Sequence, residues 1–283
     1  MLNHDLIGVA SDPVETQWDE RDVMLYALAV GAGQRDPGDE LAFTTENSDQ
    51  FDLQVLPTFV NTLVGRKRVP LGDFSMTQLV HAGQSFTIHA PLPTSGRVEA
   101  TATVSAIYDK VSAAIVVRDF DFTDADSKVH LATAHQSLFI RGEGGFGGDP
   151  GPRASDERPS GEPDFVLTAQ TRPDQALLYR LTGDRNPLHS DPAFARRAGF
   201  DRPILHGMCT YGITGRLLLQ ALCGSDTRRF RGMDGRFSSP VLPGDELSVD
   251  IWHSAEGQAT FRTRVGDRVV LDRGTVAFDS NDD

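Results

Sequence analysis

The sequence predicts an α+β chain of two similar halves. Each is an antiparallel sheet wrapping a central helix, and that helix is shortened in the first half. Three observations predict this. The chain has 283 residues, 39% of them hydrophobic, enough for one large core or two of about 140 residues each. It also echoes itself: DVMLYALAVGAGQRDP at 22–37 resembles DQALLYRLTGDRNP at 174–187, and PLPTSGRVEATATV at 91–104 resembles PVLPGDELSVDIW at 240–252. Two echoes in the same order point to a duplicated domain. Between the copies lies GEGGFGGDPGPRASDERPSGEP at 142–163, with seven Gly and four Pro in 22 residues, a composition that sustains neither helix nor strand. The expected division is therefore 1–142, a linker at 143–162, and 163–283.

In the first half, an amphipathic helical opening precedes a central stretch at 56–64 that carries Pro57, so its helix is expected to be truncated and to leave room beside the sheet. Val98, Ala100, Ala102, Val104 and Ala106 then alternate with more polar residues, and 113–117 and 132–140 add apolar strands. In the second half, Asp191 followed by Pro192 is expected to cap a short helix through Ala198. The apolar segment at 204–223, closed by Gly224, is too apolar for a surface and fits a helix wrapped by a sheet, its glycines allowing close approach. Strands are expected at 247–252, 259–265 and 268–278, giving a sheet with one solvated face. Cys209 and Cys223 fall on the apolar helix 14 residues apart, roughly 21 Å. They cannot bridge each other and are expected to be buried and reduced.

Composition narrows the function classes. No run approaches the ~20 apolar residues of a membrane span. The start, Met1-Leu2-Asn3-His4-Asp5, lacks the regions of a signal peptide, and Ser280-Asn281-Asp282-Asp283 is no organellar address, so the cytoplasm is the expected compartment. A net charge of −13 repels nucleic acid and anionic lipid, so neither is an expected partner. The segment 172–236 runs against this trend, with eleven Arg and six Asp. Such a segment suits either an anionic ligand or a solvated face.

The informative segment for chemistry is YRLTGDRNPLHSDP at 179–192. Gly183, Asn186 and Pro187 make it a turn-rich loop between two helices. Asp184 and His189 are five residues apart across Pro187, close enough to face one small site and hold one water for general acid–base chemistry. Taken alone, the spacing also fits a helix-capping Asp184 beside a satisfied polar His189. Asp-x-Asn with His could begin a metal site, but the three or four ligands one needs are not visible, and no metal is expected.

Y-R-L-T-G-D-R-N-P-L-H resembles the signature of the hydratase 2 family, the MaoC-like (R)-specific enoyl-CoA hydratases. RDVMLYALAVGAG (21–33), LVHAGQSFTIHAPLPTSG (79–96), LFIRGEGGFGG (138–148), ILHGMCTYG (204–212) and RFSSPVLPGD (236–245) resemble blocks of its double hot-dog branch. The resemblance implies two hot-dog folds in one chain, an active site between them, and one site per chain. By the same resemblance, Asp184 and His189 activate the water, Asn186 orients them, and Gly207 offers its backbone amide to the thioester oxygen. Substrate contacts are implied for His81, Ala82, Lys110, Arg185, Pro187, Leu188 and Phe237. Relatives commonly have Gly where Ala82 stands.

The implied reaction is reversible addition of water to trans-2-enoyl-CoA to give (3R)-hydroxyacyl-CoA. Coenzyme A is then part of the substrate, no cofactor is needed, and a homodimer is expected. The first half would accommodate a long, branched or sterol-derived acyl group, and Lys110 with Arg196, Arg197 and Arg202 would grip the phosphates. The rival readings are a hot-dog acyl-CoA thioesterase and a non-catalytic acyl-CoA-binding protein.

Overall fold

The computed structural model describes residues 1–64, 71–152, 159 and 161–280. Among the described residues there are ten strands: Val14–Trp18 (β1), Leu79–Ile88 (β2), Gly96–Asp109 (β3), Ala113–Asp124 (β4), His130–Arg141 (β5), Phe165–Gln170 (β6), Phe230–Phe237 (β7), Glu246–Ala255 (β8), Gln258–Val265 (β9) and Arg268–Phe278 (β10). Their spatial order is β1-β3-β4-β5-β2-β7-β10-β9-β8-β6, all antiparallel. Read outward from the middle, each half runs second, fifth, fourth, third, first, so the duplication seen in the sequence is also a duplication of topology. The two sheets do not stay apart. β2 pairs with β7, placing Phe86 opposite Met233, and the join removes two edges that would otherwise be open.

The alternation expected along β3 breaks at a bulge. Val98, Ala100 and Val104 are buried, but the register slips between Val104 and Ala106. Beyond it Ile107, not Ala106, points into the interior. An extra residue in one strand of a pair exchanges its faces. The flipped end joins a second small core of Leu2, Leu71, Val116, Leu138 and Ile140.

Among the described residues there are five α-helices, Glu20–Ala29 (α1), Leu41–Thr44 (α2), Gln175–Tyr179 (α3), Pro192–Arg197 (α4) and Gly207–Cys223 (α5), of which α5 packs most broadly on the sheet. Asp19 and Asp22 close a capping box on α1, and Asp191 caps α4 by accepting from the amides of Ala193 and Phe194. α5 is the wrapped helix: thirteen of its 17 residues are buried, and it ends on Gly224 at φ 59°. Both cysteines are buried in it and unpaired. In the first half its place is taken by a 3-10 turn, Pro57–Thr62.

The glycines of α5 permit close packing. A Cβ on Gly212 would meet Val30 Cγ1 at 2.6 Å, and one on Gly215 would meet Thr58 Cγ2 at 2.5 Å. Part of the linker is described. It forms no helix or strand from 142 to 152, and the Asp109 carboxylate pins it by accepting from the amides of Gly145 and Gly147. Residues 153–158 and 160 of the linker lie outside the described residues. Among the described residues, no helix is long and apolar enough to cross a membrane.

Candidate active site

The loop between α3 and α4 is held by its own backbone. Asn186 donates its amide to Asp184 Oδ1 at 3.1 Å, accepts from the amide of His189 at 3.2 Å, and caps the turn Pro187–His189 by accepting from Leu188 N at 3.1 Å. One residue thereby sets both Asp184 and His189. Asp184 is exposed and His189 is buried, yet a side-chain oxygen of the first and a ring nitrogen of the second lie within 4.8 Å of each other.

The protonation pattern of His189 follows from its partner. Its Nδ1 lies 2.9 Å from the carbonyl oxygen of Ile204, and a carbonyl only accepts, so Nδ1 carries the hydrogen. Nε2 is left with its lone pair. Burial pushes the imidazole below its ordinary value, more strongly than the Ile204 carbonyl and the Asp184 charge raise it. A neutral imidazole presenting a bare nitrogen beside a carboxylate is a general base with an orienting partner.

A donor on the same cavity wall is the start of α5. No side chain caps this helix, and the amide of Gly207, as its first residue, has no intrahelical acceptor. Gly207 and the Asp184 loop line one continuous cavity of about 3110 Å³ between the halves, with Trp18, Phe59, Leu63 and Phe120 from the first half. A Cβ on Gly207 would come within 3.1 Å of Phe237 Cε1, so the position is tight as well as uncapped. Helix dipole and free amide together favour negative charge on an oxygen placed there.

The other expected contacts are distributed around this cavity, and Ala82, Lys110, Arg185, Pro187, Leu188 and Phe237 all line it. The His81 ring packs 4.9 Å from that of Phe237, donates Nε2–H to Gly83 O, and is pushed down to about 4, first by burial and next by Arg118. Ala82 is the residue skipped where the β2·β5 register shifts, which takes its backbone out of the ladder without requiring glycine. Lys110 is already engaged, donating to the carbonyl of Pro150 in the linker.

Arg196, Arg197 and Arg202 stand apart from these residues. They are exposed on α4 and just after it, outside the cavity wall, whose basic residues include Arg180, Arg185 and Arg236. Part of the segment's charge is already paired: Arg172 with Asp174 and Arg228 with Asp226 inside it, and Arg231 with Asp279 and Arg216 with Glu40 outside it.

One residue of the site escaped the sequence reading. His206 stacks on His189 with ring centroids 3.8 Å apart and 29° between planes. Its signal was the ILHG string, read only for its glycine. Asp184, His189 and His206 form a three-residue group of metal-ligand types. The stacking argues against a shared ion, because imidazole lone pairs lie in the ring planes and two nearly parallel planes do not converge on one point close by.

Residues 155–273 match the MaoC like domain, and residues 17–142 match the MFE-2 hydratase 2 N-terminal domain. The 3-hydroxyacyl-thioester dehydratase Y of Mycobacterium tuberculosis is 44% identical, over 98% of this chain and 98% of its own. The chain belongs to the MaoC-like hydratase 2 family. Enoyl-CoA hydratase ChsH3 of the same organism is 42% identical over 87% of each chain. Among solved structures, a MaoC-like dehydratase from Phytophthora capsici superposes with a TM-score of 0.87 at 28% identity, covering 99% of both chains. A further M. tuberculosis protein, described as a double hot-dog fold, has a TM-score of 0.60 over 96% of both chains and, at 14% identity, speaks for the fold alone. The double hot-dog expected of a hydratase 2 family member is the architecture observed.

Proposed function

We propose that this chain is an (R)-specific 2-enoyl-CoA hydratase, a hydro-lyase that interconverts trans-2-enoyl-CoA and (3R)-hydroxyacyl-CoA. The observation that carries the reading is that two features line one cavity: the Asp184/His189 pair on its rigid loop, and the uncapped Gly207 amide at the start of α5. The relatives named as a hydroxyacyl-thioester dehydratase and an enoyl-CoA hydratase support it.

The thioester oxygen accepts from Gly207 N–H, which polarises C2=C3. Asp184 and His189 hold a water over C3, with Asn186 fixing the geometry of the pair. His189 Nε2 takes one proton as the hydroxyl adds to C3 and negative charge moves onto the thioester oxygen. The enolate collapses as the imidazolium returns a proton to C2, so one water is consumed and both protein groups end as they began. No step uses a dissociable cofactor or a metal.

His81, Ala82, Arg185, Pro187, Leu188 and Phe237 contact the substrate in this reading, with Lys110 towards the nucleotide end. The first half, 1–142, receives the acyl group, and 163–283 carries the catalytic loop. A long, branched or sterol-derived chain is supported by the 3-10 turn Pro57–Thr62, which stands where the second half has a five-turn helix.

We further propose a cytoplasmic homodimer. Two buried, unpaired cysteines fit a reducing compartment. Exposed Leu28, Leu177 and Leu181, on α1, on α3 and just after α3, are surface a second copy would cover.

The test is loss of enoyl-thioester absorbance across a panel of trans-2-enoyl-CoA substrates, with chiral analysis of the product and a free-thiol assay alongside. (3R)-hydroxyacyl-CoA without thiol release is the expected result. Thiol release without hydration would replace the reading with thioester hydrolysis, since an amide on the carbonyl oxygen serves either attack. Binding of acyl-CoA without either change would make the chain a binding protein.

A further inference from the structure

His206 is placed where a side chain has to justify its polarity. It occupies the N-cap position of α5 but gives that helix no side-chain bond. Its ring turns back to the loop instead. It is 1% exposed, stacks on His189 at 3.8 Å, lies 5.0 Å from the ring of Tyr179, and donates Nε2–H to the backbone carbonyl of Asp184 at 3.2 Å. Its Nδ1 is buried without a hydrogen-bond partner among the described residues. Burying an acceptor that meets no donor costs stability that a phenyl ring of similar shape would not. Packing alone therefore does not account for a histidine here.

We infer that His206 is a positioning residue: its ring ties the Asp184 carbonyl to the face of His189 while its backbone leads directly into the Gly207 amide. The base, the water-orienting carboxylate and the amide donor come from two separate segments, the loop and α5. Small displacements between them are costly in rate. His206 belongs to one segment and is bonded to the other, so it holds them in a single register. The stack also keeps the two rings from carrying charge together, so that His206 stays neutral when His189 takes its proton. His206 is pushed down to about 3, first by burial and next by His189. The other groups facing the two rings are Asp184 on the loop and Tyr179 and Arg180 at the end of α3.

The catalytic consequence rests on the hydratase reading, whereas the geometric role does not, and the test separates them. His206→Phe preserves the stacked shape but cannot reach the Asp184 carbonyl. His206→Gln keeps a donor of similar reach and gives up part of the stack. Each variant and the wild type are compared by kcat and KM on an enoyl-CoA, by Tm, and by ¹⁵N NMR of the His189 imidazole. For His206→Phe we expect a Tm equal to or above wild type and kcat down about ten-fold with KM within about two-fold, the loss of one neutral hydrogen bond. We also expect the ¹⁵N shift of His189 Nε2 to move as the Asp184 segment beside it is released, while the Nδ1–H bond to Ile204 is kept. His206→Gln should recover part of the kcat. A role in stability alone would do the reverse, lowering Tm with kcat kept. A His189 spectrum unchanged in His206→Phe overturns the positioning role. If wild type hydrates no enoyl-CoA while the His189 spectrum still responds to His206→Phe, the hydratase reading fails and the positioning role stands.

Discussion

Glu40 and Arg216 meet across the two halves, and breaking that contact should be strongly destabilising. Arg216 sits in the middle of α5. Its Nη1 donates to both Glu40 oxygens at 2.8 and 2.7 Å, and its Nε donates to the carbonyl of Val30 at 3.0 Å. Glu40 Oε2 also accepts from the amide of Gly33 at 2.9 Å. The two side chains are 9% and 18% exposed, so neither charge is well hydrated. Glu40→Ala leaves a buried guanidinium with one carbonyl for company.

Removing one partner of a buried pair costs about 3–5 kcal/mol. The residual exposure at Glu40 admits some water, which places this case at the lower end, about 3 kcal/mol. At about 2–4 °C per kcal/mol for a chain approaching this size, Tm should fall by about 6–12 °C in scanning calorimetry. The double change Glu40→Leu with Arg216→Met removes both desolvation penalties together and should lie much closer to wild type. A fall of less than about 3 °C for Glu40→Ala, or a double variant that falls as far, would show the pair to be solvated and the reasoning wrong.

Asp184→Asn and His189→Gln should each lower kcat by about 10² to 10⁴ with the fold intact by circular dichroism, and the double variant should be little worse than the worse single, since both act on one water; near-native turnover in either single would remove that residue from the chemistry. For pH, His81 and His206 are held at about 4 and about 3 in the fold, against about 6.5 when unfolded. The unfolded chain therefore binds protons first as pH falls, so Tm should be flat above about 6.5 and decline steadily below it, with a shallower decline in His206→Phe; a flat profile from pH 7.5 to 4.5 would contradict the burial. At the nucleotide end, Lys110→Ala and Arg185→Ala should raise KM for coenzyme A substrates with kcat nearly unchanged, while Arg196→Ala and Arg197→Ala, outside the cavity wall, should do neither. Raising salt should weaken coenzyme A substrates more than uncharged N-acetylcysteamine thioesters, and identical salt responses for the two would mean that no basic residue grips the phosphates.

The features legible in the one-dimensional chain are those enforced by near neighbours. Pro57 reads as a helix stop, but it opens the observed six-residue turn at its first position, where a missing N–H costs nothing, so the short first-half helix was legible while its cause was not. Asp191 before Pro192 caps α4, and Gly224 ends α5 in the left-handed conformation an L side chain resists. The loop from Asp184 to His189 was readable for the same reason, as its geometry is set by Asn186 and Pro187 between them. The echo of the two halves already held the shared strand order, since each copy folds by the same local pattern.

Other features depend on residues brought together from far apart. The join of β2 to β7, the bulge that trades Ala106 for Ile107, the Glu40–Arg216 pair at a separation of 176 residues and the stack of His206 on His189 have no mark in composition or spacing. The Arg-rich segment shows the difference: its charge was visible in the sequence, but whether each guanidinium meets a carboxylate, the cavity or open water depended on which surface its element turned outward. Local steric and hydrogen-bonding rules act over three or four residues and can be read in order. Burial and electrostatic pairing act through space, and they acquire a direction only once the halves are packed against each other.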